Sequence, residues 1–160
     1  MADWETFFAA QVAASATLAG LLFVAVSFNL TKILSNPALP NRALAGFYLL
    51  LAVLVISSLM LVPGQPRRFI GAEVLVVAAV LWAVVTRLDV AALRGSPADV
   101  RTYFVRHFFL FQAAVLPYLI GAVMILAGAG SGLYWLAAAI IFSLFTAFIE
   151  AWVLLVEINR

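Results

Sequence analysis

Apolar positions run along this chain in long unbroken blocks, divided by short knots of proline, glycine and charge. A helix needs about 20 apolar residues, at ~1.5 Å each, to cross the hydrocarbon of a bilayer. Five blocks qualify: residues 7–33, 43–62, 69–88, 104–127 and 133–156. Within them the apolar residues are continuous and do not alternate with polar ones. The pattern therefore predicts helices and not the strands of a β-barrel. The expected fold is all-α, a single transmembrane domain over residues 1–160 built as an integral membrane bundle of five helices.

The knots carry turn chemistry. "SNPALPN" (35–41) holds two prolines, each of which disfavours helix at the residue before it. "VPGQPRR" (62–68) contains Pro-Gly, the signature of a type II turn. In "RGSPADV" (94–100), Ser96, Pro97 and Asp99 read as an N-cap, a first helical proline and an acidic third position. The fourth helix is thus expected to begin in water near Pro97. "GAGSG" (128–132) is the shortest connection and predicts an antiparallel hairpin of the last two spans. Pro117 should kink the fourth span. The odd number of spans and the lack of an internal repeat argue against a transporter of two inverted halves.

Composition agrees with a lipid solvent. Of 160 residues, 67% are hydrophobic and 10% charged, against roughly a quarter charged in soluble domains. The mean hydropathy is +1.18. Without cysteine the chain has no disulfide and no thiolate metal site. A net charge of +2 does not point to nucleic acid here, because in a membrane protein the placement of the basic residues is what counts. "MADWETFF" carries Asp3 and Glu5 with no basic stretch, and the apolar run after it exceeds a signal-peptide core. The first span is therefore expected to be a permanent helix. Lys32, Arg42, Arg87, Arg94, Arg101, Arg106 and Arg160 fall on one side of the five crossings, and only Arg67 and Arg68 on the other. The positive-inside bias puts the N-terminus outside and the C-terminus in the cytoplasm. Trp4 and Tyr134 suit the outer interface and Trp152 the inner one.

Polar residues inside the spans are the candidates for function. Glu150 lies 17 residues beyond Leu133, or about 26 Å along the axis. That depth is the cytoplasmic third, within reach of headgroup water or of Lys32 or Arg106. At about 100° per residue, Gly132, Ala139, Ser143, Thr146, Glu150 and Glu157 share a stripe roughly 60° wide. Such a face points at protein or water, and its two carboxylates would attract cations; a structural hydrogen-bonded clasp is the other outcome. In the first span Gln11, Ser15 and Asn29 lie near one face. Ala9, Ala13, Ala16, Gly20, Ser27 and Thr31 lie on the opposite face, where small residues let helices approach closely. This helix is expected to pack on both sides and lie inside an assembly.

Asn29 counts to the depth of Glu150, so a hydrogen bond between them is expected, and Gln112 is placed to join them. Asn29, Gln112, Ser143, Thr146 and Glu150 form a candidate polar layer, and Glu157 and His107 a candidate cytoplasmic mouth. Glu73 is expected to pair with Arg67 or Arg68. One histidine, no cysteine and no glycine-rich phosphate loop make no recognisable catalytic or metal constellation. The expectation is a non-enzyme without cofactors. The cytoplasmic basic residues would meet anionic headgroups.

"ATLAGLLFVAVSFNL" in the first span, "GLYWLAAAIIFSLFTAFIEAWVLLVEI" in the last, and the "VPGQ" turn resemble a family of small bacterial multi-span inner-membrane proteins with no established activity. The resemblance implies bacterial origin and the integral-membrane class, and carries over no site residues. Three functions compete. A homo-oligomeric channel or permeation pathway for small cations would use the small-residue face and the Ser143–Glu150 stripe. A non-catalytic accessory or scaffold protein would bind another membrane protein or lipid through the same faces. An intramembrane enzyme acting on lipid through Glu150 lacks catalytic partners and ranks last.

Overall fold

The computed structural model describes residues 2–35, 39–94 and 101–156, and these are almost wholly helical. Six helices are described: α1 (Ala2–Phe28), α2 (Leu30–Ser35), α3 (Leu39–Met60), α4 (Arg67–Arg94), α5 (Arg101–Leu126) and α6 (Gly132–Leu155). Five of them, all but the short α2, are long and apolar enough to cross a membrane. A backbone without water must bond to itself, and the helix does so within one segment.

The differences from the expected boundaries have local causes. The first span is not one helix: Asn29 interrupts it, and α2 continues beyond. The second expected span, α3, starts at Leu39 and not at 43, because Pro40 falls in its first turn, where no amide partner is required. The third, α4, runs 28 residues, or about 42 Å. That exceeds the roughly 30 Å needed to cross the hydrocarbon of a bilayer. Pro117 sits inside an α5 that continues past it. The proposed cap at Ser96, Pro97 and Asp99 lies outside the described residues.

The two tight turns obey the chemistry of their sequences. Gly64 takes φ +73°, the left-handed backbone that a Pro-Gly type II turn demands. Gly128 takes φ +81°. Around it the Gly128 amide donates to Ile125 O at 3.0 Å and the Ala129 amide to Met124 O at 2.9 Å. That pair of bonds is a Schellman cap, which ends α5 and turns the chain directly into α6.

The helices close a ring in the order α1, α3, α4, α5, α6, with α6 returning to α1 and α3 also packed on α6 across the middle. One end of the bundle gathers Trp4, Met60, Arg67 and the Gly128–Leu133 turn; it is called the near end here. Trp4 stands edge-on to Tyr134 with ring centroids 5.1 Å apart. Trp152 is exposed toward the opposite, far end. The larger apolar core joins Phe8 of α1 to α3, α4, α5 and α6. A smaller one at the far end joins Leu22, Ile33, Ala43, Leu50, Ala147 and Leu154, from α1, α2, α3 and α6.

Glycine sets the closest helix contact. A Cβ on Gly132 would stand 2.7 Å from Gly121 O, and one on Gly121 would stand 3.0 Å from Gly132 O. These are backbone atoms that cannot swing aside. Lipid tails are as apolar as side chains, so such close approach replaces the hydrophobic drive between helices. The substitutions Gly121→Val and Gly132→Val are predicted to destabilise the bundle by about 1–3 kcal/mol. Gly20→Ala, at a position with nothing within 4 Å, should leave it unchanged. Denaturant titration in detergent micelles, followed by circular dichroism, measures the difference; equal midpoints for all three would refute the packing account.

Candidate functional site

The polar face of α6 is turned inward. Ser143 is 0%, Thr146 5% and Glu150 2% exposed, and Gly132 and Ala139 are buried with them. The stripe faces protein and not lipid. Thr146 donates from Oγ1 to Phe142 O at 2.8 Å, which satisfies its hydroxyl within its own helix. Glu150 lies against α3 at Gly46. A Cβ at Gly46 would sit 3.6 Å from Cβ of Glu150 and 3.3 Å from Leu22 Cδ2. The missing side chain at Gly46 is thus what makes room for the carboxylate stem between α1, α3 and α6.

Asn29 fastens the far end of α1 to α6. Its Nδ2 donates to Leu154 O at 3.0 Å and to Ala25 O at 3.2 Å. The first acceptor is one of the last carbonyls of α6, which have no amide partner inside that helix. The interruption at Asn29 and the end of α6 therefore satisfy each other. The bond to Leu154 O reaches a turn beyond Glu150, to the backbone. Ser15 is fully buried and Gln11 half-buried on the same side of α1.

Gln112 belongs elsewhere. It accepts from Trp82 Nε1 at 3.0 Å and donates to Thr86 Oγ1 at 3.0 Å. Both partners are on α4, so Gln112 ties α4 to α5 and is not part of the Asn29–Glu150 group. The reason is topological: α5 packs on α4 and α6, while Asn29 sits where α1, α3 and α6 meet. Glu73 likewise takes a different partner from the one expected: Gln65 Nε2 donates to its Oε2 at 2.7 Å. Glu157 lies outside the described residues, and the side chain of His107, on α5, does too.

The opposite face of α1 is bare. Ala9, Ala13, Ala16, Gly20, Ser27 and Thr31 are all exposed, and α1 is the least buried of the five spans. The exposed hydroxyls of Thr17 and Ser27 donate back to Ala13 O and Phe23 O.

Three buried polar residues escape a reading of the sequence alone. Asp89 is 6% exposed. It continues the buried α4 series Val74, Ala78, Leu81, Val85 at helical spacing, a signal that lies one residue past the expected end of the third span. Tyr118 is fully buried on α5 among Ala114, Val115 and Ala122. Its hydroxyl is directed to Ser143, though the geometry falls short of a formed hydrogen bond. Ser57 on α3 is also fully buried. Among the described residues no three of His, Cys, Asp or Glu come together as metal ligands.

Five helices long and apolar enough to cross a membrane fit the class of multi-pass α-helical membrane proteins. Comparison with protein-family models, with curated proteins and with solved structures finds no match for the chain.

The polar ties should behave as structural ties. Asn29→Ala and Gln112→Leu are each predicted to cost about 0.6–2 kcal/mol, the usual worth of an interhelical polar contact in a bilayer. The two losses should add, since the residues share no partner. A double-mutant cycle read by reversible unfolding in mixed micelles checks this. A coupling above about 0.5 kcal/mol would put them back in one network.

Proposed function

We propose that this chain is a non-catalytic assembly protein of a bacterial inner membrane. It associates with further copies of itself through α1, with its N-terminus outside and its C-terminus in the cytoplasm. The observation that carries the reading is the exposed face of Ala9, Ala13, Ala16, Gly20 and Ser27. These residues recur at intervals of three, four and seven on a single side of a membrane-length helix. A face of that kind brings two backbones close and is weakly rewarded by lipid alone. Its hydroxyls already bond within the helix, so a partner helix would meet no unsatisfied donor. Copies of one chain meeting through one face form closed symmetric oligomers. The orientation is supported by the seven basic residues on one side against two on the other, and the bacterial setting by the family resemblance of the first and last spans.

A second reading, a permeation pathway for small cations, is favoured by the buried Glu150 beside Thr146 and Ser143. Because that face packs on α3 inside the chain, the path would run within each copy and not along an axis between copies. The first reading needs no rearrangement of the bundle.

Ala16→Leu with Gly20→Leu is predicted to shift the purified protein from oligomer to monomer in native mass spectrometry, with helix content and melting temperature unchanged. An assembly of undiminished size would end the proposal that α1 is the interface. In planar bilayers the protein is expected to show no conductance above background. Channels that close in Glu150→Gln would establish the second reading instead.

A further inference from the structure

The near end of the bundle carries a feature that self-association through α1 does not use. The end of α3, the start of α4 and the α5–α6 turn enclose a cavity of about 80 Å³. Its floor is apolar, made by Met60, Ile70, Ile125 and Leu133, and its one charged wall residue is Arg67. Gly128 and Gly130 border it and carry no side chain to close the opening. Arg67 and its neighbour Arg68 are exposed. Glu73, the nearest acid along the chain, is held by Gln65 at 2.7 Å. Among the described residues neither guanidinium has an acidic partner. Among the described side chains they are the only basic ones at this end, since Lys32 lies on α2 beside the far core and Arg87 in the far half of α4.

We propose that this cavity holds one anionic phospholipid. The phosphate sits on Arg67, with the charge of Arg68 next to it in the chain adding to the local field, and the glycerol ester region with the uppermost methylenes of one chain fills the apolar floor. The charge selects the head: the Arg67 guanidinium on the cavity wall favours an anionic phosphate over a zwitterion, whose own ammonium competes for it. The start of α4 adds the positive end of a 28-residue helix. The floor selects a lipid over a free anion, because bare phosphate would shed hydration against Met60, Ile70, Ile125 and Leu133 without recompense. The position selects a lipid over a protein loop, because the site lies where α3 and α4 reach their membrane-boundary turn. The volume suits the neck of a lipid and not its whole body, so the remaining chain length runs down the outside of the bundle.

Native mass spectrometry of the full chain, exchanged from phosphatidylglycerol or phosphatidylcholine of identical acyl chains, tests this. The wild type should retain phosphatidylglycerol preferentially. Arg67→Gln with Arg68→Gln should lose that preference about tenfold or more, the effect of removing two membrane-surface charges. Arg67→Lys with Arg68→Lys should retain much of it. Ala129→Phe, which fills the cavity and leaves both arginines in place, should lose it too. The melting temperature of each variant in lipid-free detergent separates a lost site from a lost fold. Three results would overturn the proposal. One is an unchanged preference in the glutamine variant. Another is a full preference in Ala129→Phe, which would mean surface charge without a cavity site. The third is inorganic phosphate stabilising the protein as well as phosphatidylglycerol does.

Discussion

The structure depends on how closely other helices can approach one face of α6. In hydrocarbon, burying a leucine between two helices gains little over leaving it in lipid, so association rests on dispersion and close backbone contact. The buried face of α6 is made of Gly132, Ala139, Ser143, Thr146, Ala147 and Glu150, with Leu136, Ile140 and Leu154 filling beside them. Small side chains along that line let α6 share itself among α5, α3 and α1. At one end Gly121 and Gly132 meet backbone to backbone; toward the other, Gly46 receives Glu150.

That sharing shapes the interior. With α3 lying against α6 across the ring, the interior divides into a larger core reached by all five long helices and a smaller one where α1, α2, α3 and α6 meet. Polar groups are partitioned accordingly. Asn29 and Glu150 belong to the small part, where Leu154 O at the end of α6 accepts from Asn29 and Gly46 offers space. Gln112, Trp82 and Thr86 form a separate tie between α4 and α5. A continuous polar layer across the bundle would have to pass through the packed α3–α6 contact. This is why the buried carboxylate reads more readily as part of a fastening than as part of a path between copies.

The outside of the molecule is equally divided. α1 turns Ser15, Leu22 and Asn29 inward and presents its small residues outward, which suits a second helix. The near end presents Arg67 on the wall of an apolar cavity, which suits an anionic lipid. One surface has shape without charge and the other charge over a cavity, so the two proposed roles do not compete for the same residues.

Much of this was legible in the residues themselves. The number and approximate limits of the membrane-length helices follow from run length, because the bilayer has a fixed thickness. The Pro63-Gly64 turn and the Gly128 hairpin follow from backbone sterics, and the inward stripe of α6 and the two faces of α1 from the 100° step of the helix. What periodicity does not encode is which neighbour a face meets. Gln112 and Asn29 count to similar depths, yet the ring order sends them to different seams. Glu73 lies near two arginines in sequence, yet Gln65 reaches it first. The break at Asn29 becomes intelligible only with the carbonyl of Leu154, 125 positions away, beside it. Depth and face are properties of one helix and its solvent; partnership is a property of the packing among helices, and only the tertiary structure decided it.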